Sequence, residues 1–134
     1  FLQTDAAINP GDSGGPLFVD DGVWSNAELG HHEGRAAIER FFGGASAAIT
    51  FCAHLGMNGI VEVDGDRARG HWRLLLPCTF QQDGARVSRW ILGDYDETYV
   101  RRDGEWLFSK IDFLVNFNVP SLESWAGTET VRGD

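Results

Sequence analysis

Proton-transfer chemistry near pH 7 needs a group that titrates there, and the chain carries four candidates: His31, His32, His54 and His71. An imidazole with an ordinary pKa near 6.5 is mostly neutral and basic at pH 7. A second cluster is Asp94-Tyr95-Asp96. Alternation along an extended strand puts both aspartates on one face and Tyr95, with Tyr99, on the other. On a concave face one aspartate orients a base or serves as the acid; on a convex face both are solvated charges. Cys78 carries a thiol with an ordinary pKa near 8.5, which can donate a proton but hydrogen-bonds weakly; cysteine is also a small residue that packs in cores. Lys110 suits an anionic group such as a carboxylate. His31-His32-Glu33 has metal-ligand residue types, yet no second cluster supplies the remaining ligands, so no metal is expected there.

These groups must be placed by the elements around them. Glu33 to Phe42 reads as a short helix: Ala37, Ile38, Phe41 and Phe42 fall on one face, and Gly43-Gly44 should end it. Four strand-like runs follow, Ile49 to Val63, Arg67 to Phe80, Val87 to Arg101 and Trp106 to Phe117. Asp64-Gly65, Asp83-Gly84 and Asp103-Gly104 separate them as hairpin signals, and Pro120 closes the last. Each run exceeds the usual strand length. Long neighbouring strands joined by tight turns form a strongly curved antiparallel sheet, whose concave face needs a helix or a ligand cavity. Among the aromatic residues on these strands, Phe51, Trp72, Phe80 and Trp90 are the expected ligand-binding set.

The chain has 134 residues, enough for one domain, with 43% hydrophobic and 23% charged residues. Its net charge of −9 repels phosphate backbones and argues against nucleic-acid binding. No run reaches the roughly 18 apolar residues of a membrane span, and no export leader is recognisable. Cys52 and Cys78 are too far apart in sequence for a zinc knuckle or a redox motif. They read as reduced thiols of a cytoplasmic protein, with a single disulfide as the alternative. The expected organisation is an irregular segment over residues 1–16, a domain over 17–127 and a polar tail over 128–134.

Two resemblances are carried by the sequence. Gln3-Thr-Asp-Ala-Ala-Ile-Asn-Pro-Gly-Asp-Ser-Gly-Gly-Pro-Leu17 resembles the nucleophile segment of HtrA-type serine proteases. That resemblance implies Ser13 as nucleophile and the N–H groups of Gly11 and Ser13 as oxyanion hole. Such a serine needs a histidine and an acid, which in trypsin-like proteins lie upstream, and no histidine precedes Ser13 here. From Leu17 to Trp125 the chain resembles the SnoaL-like family of the nuclear transport factor two-like superfamily. The marks are Leu17-Phe-Val-Asp-Asp-Gly-Val-Trp24, Gly34-Arg-Ala-Ala-Ile38, His54-Leu-Gly-Met-Asn58, Val61-Glu-Val-Asp-Gly-Asp66 and Tyr99-Val-Arg-Arg-Asp-Gly-Glu-Trp106.

The second resemblance implies an α+β cone, a curved mixed sheet wrapped around helices with a pocket at one end. It implies a small hydrophobic or aromatic ligand, a homo-oligomer (dimer or trimer), and dehydratase, isomerase or cyclase chemistry. In the dehydratase branch a histidine at the position of His54 is the general base. Gly70-His-Trp-Arg-Leu-Leu-Leu-Pro-Cys78 is similar to the strand in which scytalone dehydratase carries a second histidine, here replaced by Cys78. The resemblance therefore assigns His54 as base, with Cys78, Asp94, Asp96 or Tyr95 as helpers and Lys110 as an anion contact. No cofactor is expected, because positioned acids and bases suffice to abstract a proton next to a carbonyl. A non-catalytic binding module of the same fold is the alternative. Branch relatives also carry a tyrosine and an aspartate in N-terminal helices that cap the pocket, whereas no tyrosine occurs in the first 94 residues here.

Overall fold

The computed structural model describes residues 18–122. Ser13 and its flanking motif, Trp125 and the polar tail lie outside them. In chain order the elements are β1 (Phe18–Asn26), β2 (Gly30–Glu33), α1 (Arg35–Ala48), β3 (Ile49–Cys52), β4 (Leu55–Asp64), β5 (Arg67–Gln82), β6 (Ala85–Arg102) and β7 (Glu105–Pro120).

The three turn signals fold as hairpins. Asp83-Gly84 and Asp103-Gly104 have positive φ at both positions, the pattern of a two-residue turn whose twist suits antiparallel strands. In the first hairpin the loop is Gly65-Asp66, one residue later than expected, with Asp64 paired to Arg67. Strands β5, β6 and β7 thus form the long antiparallel wall, and each runs a few residues beyond its expected end. The expected first strand is two strands in one line. β3 and β4 both pair with β5, and Ala53 between them still donates its N–H to the Pro77 carbonyl at 3.1 Å.

The sheet order is β2-β1-β7-β6-β5-β3, with β4 also on β5. β1 runs parallel to β7, so the sheet is mixed rather than wholly antiparallel. Sequence periodicity does not reveal β1, because its register on β7 slips between Phe18 and Val23 around Asp20-Asp21-Gly22. Bulges also interrupt the β6–β7 ladder at Leu92/Gly93 and at Thr98/Tyr99, and bulges bend strands. At Gly93 a Cβ atom would lie 2.4 Å from the Phe113 ring and 2.6 Å from the Leu114 carbonyl, so only glycine fits that bend.

α1 crosses the concave side and packs on β1, β2, β3 and β5. It starts at Arg35 because Gly34 holds φ +86, a conformation that interrupts both β2 and the helix. It does not stop at Gly43-Gly44 but continues to Ala48. The following residues Ala45, Ser46, Ala47 and Ala48 tolerate a helix well, and the Ser46 hydroxyl donates to the Gly43 carbonyl at 3.0 Å. Ile38 is buried, and Phe41 and Phe42 pack against a core that includes Trp24, Leu74, Tyr99, Phe108 and Ile111. One curved sheet closed over one helix leaves a cone with space inside.

Candidate functional site

The space in the cone is a cavity of about 620 Å³. Trp24, Phe41 and Phe42 form one wall, with the Trp24 and Phe41 rings stacked at 4.5 Å. Leu76, Phe80, Ile91, Phe108, Ile111 and Phe113 form much of the rest. A largely apolar chamber of this size is within the range of small-molecule pockets.

The polar groups facing it are few. His54 occupies the link between β3 and β4, half-buried, on the same face as Cys52 two residues earlier. Cys52 is register-paired with Cys78 on β5, and their sulfurs lie 2.6 Å apart as free thiols. Distance in sequence therefore misleads: the fold brings the two thiols into contact. The hydrogen bond between them holds the Cys78 thiol below its ordinary range, while that bond together with burial pushes the Cys52 thiol up. Tyr95 faces the cavity from β6, 5.0 Å from the Phe113 ring, and burial followed by the nearby Glu97 charge pushes its hydroxyl up.

Glu97, two residues beyond Tyr95, is the group that sequence reading passed over. It is 2% exposed and lines the same cavity. Burial pushes its carboxyl up to about 7, against the opposing effect of hydrogen bonds from Tyr99 and Trp72. The Tyr99 hydroxyl donates to Glu97 Oε2, and the Trp72 indole N–H donates to the Tyr99 oxygen at 3.0 Å. Room for the Tyr99 ring comes from Gly70, where a Cβ would sit 2.4 Å from the hydroxyl. Near neutrality this buried carboxyl is divided between its acid and its carboxylate, as an acid–base group requires. Its signal in the sequence was parity: it shares the face of Tyr95 and Tyr99.

The model of the SnoaL-like domain matches residues 11–112, more than half of the chain. The chain belongs to the SnoaL-like family.

Solved structures agree on the nuclear transport factor two-like fold of this SnoaL-like protein. LinA superposes with a TM-score of 0.71 at 25% identity, covering 87% of this chain and 77% of LinA. The hexachlorocyclohexane dehydrochlorinase LinA-type3 from Novosphingobium barchaimii gives 0.67 at 26% identity over 87% and 77%. A scytalone dehydratase candidate from Novosphingobium aromaticivorans gives 0.65 at 23% identity over 77% and 68%, a likeness of fold. A periplasmic serine endoprotease of the DegP-like type from Pseudomonas putida is 39% identical over 72 residues, 52% of this chain. The chain spans only 14% of the length of that endoprotease.

Within the SnoaL-like cone the expected site residues divide. His54, Cys78, Tyr95 and Phe80 line the cavity. Asp94 and Asp96 do not, because they lie on the convex face of β6. Asp94 is nevertheless buried, at 4% exposure, beneath Arg73, whose Nε donates to Oδ1 at 2.9 Å and whose Nη2 donates to Oδ2 at 3.2 Å. Asp96 is exposed and meets His71 Nδ1 at 2.9 Å. Lys110 is on the same outer surface, 2.8 Å from Asp112. Phe51 is 55% exposed, since alternation turns it outward when Cys52 turns in. Trp90 faces outward by the same logic beside the inward Ile91. Trp72 is inside the cone but supports Tyr99 rather than lining the cavity. His32 stacks on Phe41 at 4.2 Å, and His31 lies 3.6 Å from Glu33.

Proposed function

We propose that this SnoaL-like protein binds a small hydrophobic or aromatic molecule in its cone and catalyses a cofactor-independent proton-transfer reaction on it. The observation that carries this reading is an imidazole, His54, facing an apolar cavity together with a buried carboxyl, Glu97, that titrates near neutrality. Elimination is the favoured chemistry. His54 takes a proton from carbon, the electron pair forms the new double bond, and the leaving group departs from the adjacent carbon. When that group is a hydroxyl, the protonated form of Glu97 donates the proton that lets it leave as water. Isomerisation uses the same pair, with Glu97 or Tyr95 returning a proton to a different atom of the ligand. The likeness to dehydrochlorinases named for hexachlorocyclohexane supports this reading, because loss of hydrogen chloride from an apolar ring is also an elimination.

The water-poor walls serve the chemistry by strengthening each charge–dipole interaction inside the cone. Cys78 contributes a small wall group opposite Cys52, and Tyr95 a neutral hydroxyl donor. The test is turnover of a halogenated cyclohexane and of a cyclic β-hydroxyketone by purified protein, with product followed by mass spectrometry. His54→Ala should abolish turnover while retaining the ligand-dependent rise in melting temperature. Ligand stabilisation without turnover in the parent protein selects a binding module instead. Labelling of Ser13 by a fluorophosphonate would support the protease reading in its place.

A further inference from the structure

The two cysteines share one wall of the cavity, and their pairing has a specific geometry. Ala53 donates its N–H to the Pro77 carbonyl, so residues 53 and 77 are a hydrogen-bonded pair of the β3–β5 ladder. The next pair along, Cys52 and Cys78, is then of the non-hydrogen-bonded kind. In such pairs the Cα atoms are about 4.5 Å apart and the side chains are at their closest. That spacing falls inside the roughly 4.4–6.8 Å range over which disulfides form. The thiols are already in contact at 2.6 Å and both line the cavity, Cys52 half-buried and Cys78 buried.

We propose that Cys52 and Cys78 form a dithiol site oxidised to an intramolecular disulfide by a hydroperoxide that enters the cone. This goes beyond the proton-transfer reading and does not depend on it. Either thiol can donate the hydrogen bond between them, and with Cys78 as the first sulfur to react it does so as its thiolate. The thiolate attacks one peroxide oxygen, the O–O bond breaks, and hydroxide leaves to take up the proton that Cys78 released. Cys78 is then a sulfenic acid. Cys52 attacks that sulfur, the S–S bond forms, the S–O bond breaks, and the hydroxyl leaves with the Cys52 proton as water. Two thiols and hydrogen peroxide become one disulfide and two waters. The new bond ties β3 to β5 two residues before His54, so oxidation stiffens the wall that carries the imidazole.

The experiment treats the purified chain with graded hydrogen peroxide, then alkylates it under denaturing conditions and measures intact mass. The expected product is a monomer lighter by two hydrogens, with neither cysteine alkylated, that dithiothreitol restores. A chain that keeps both thiols alkylatable at doses that oxidise free cysteine would overturn the proposal, as would a disulfide found only between two chains. In Cys52→Ser and in Cys78→Ser, dimedone should trap a sulfenic acid at the cysteine that remains. Absence of trapping in both variants would overturn the sulfenic-acid step. The mass measurement on the parent chain stands even if either variant fails to fold.

Discussion

Replacing Glu97 by glutamine should remove a pH dependence of stability whose size follows from burial. The folded-state carboxyl titrates at about 7, against an ordinary value of 4.5. A raised carboxyl is held by the folded state as the neutral acid. Its folded form therefore carries no penalty below the ordinary value, and stability is lost as pH rises through the folded one. Linkage puts that loss at about 3 kcal/mol by pH 8 and under about 1 kcal/mol at pH 5, a difference of roughly 2 kcal/mol. With a urea slope of about 2 kcal/mol per molar for a domain of this size, the midpoint of the parent protein should fall by about 1 M between pH 5 and pH 8 more than that of Glu97→Gln. Urea titrations of both proteins, followed by tryptophan fluorescence at half-unit pH steps, measure the difference directly. Taking the difference between the two proteins removes every titration they share, and a constant offset from the altered Tyr99 hydrogen bond does not affect it. Parallel curves from pH 5 to pH 8 would refute the claim that Glu97 is a buried acid poised near neutrality.

Other perturbations test the frame around the site. Gly93→Ala must push a methyl group into the Phe113 ring and the Leu114 carbonyl, and should destabilise by about 1–3 kcal/mol or more in thermal melts. Arg73→Ala removes the bidentate partner of buried Asp94, leaving it His71 Nε2 at 3.6 Å, and should destabilise by about 1–3 kcal/mol in urea, whereas Asp96→Asn at the exposed end of the same face should change stability by less than about 1 kcal/mol. Neither change on that outer face should alter which ligands raise the melting temperature. For the proposed homo-oligomer, light scattering should give the mass of a dimer or trimer. Ile60→Lys on β4, where Ile60, Val61 and Val63 are exposed, should lower that mass if this edge is the interface.

The strand plan was readable because tight turns announce themselves. An aspartate followed by glycine supplies the two left-handed residues that a short hairpin needs, and the strands between such pairs can hardly do otherwise than run antiparallel. β1 was hidden because its apolar residues are split by Asp20-Asp21-Gly22, and its partner lies more than eighty residues away on β7. The end of α1 was hidden because glycine pairs disfavour a helix only by about 2 kcal/mol together, which neighbouring alanines and packing overcome. At the site, parity correctly grouped Tyr95 with Tyr99 and Asp94 with Asp96. It cannot say which group faces the hollow, since that depends on the direction in which the sheet bends. The sheet bends toward Tyr95, which draws Glu97 inside and leaves both aspartates out.

The register that makes the thiol contact was illegible for a different reason. Counting back from the hairpin, Asp64 pairs with Arg67, so the residue opposite Cys52 would be Thr79. One surplus residue between Met57 and Ile60, where Asn58 takes φ +52, shifts the remaining ladder by one and brings Cys78 opposite instead. Strand side chains alternate, so this surplus residue acts as a gear tooth: it sets the phase from there back to Phe51, where the ladder slips again, and that stretch includes His54. The rim of the sheet, far from any reacting atom, thereby decides which way the imidazole turns. Deleting that one residue would remove the slip and move the register of Cys52 and His54 against β5 by one.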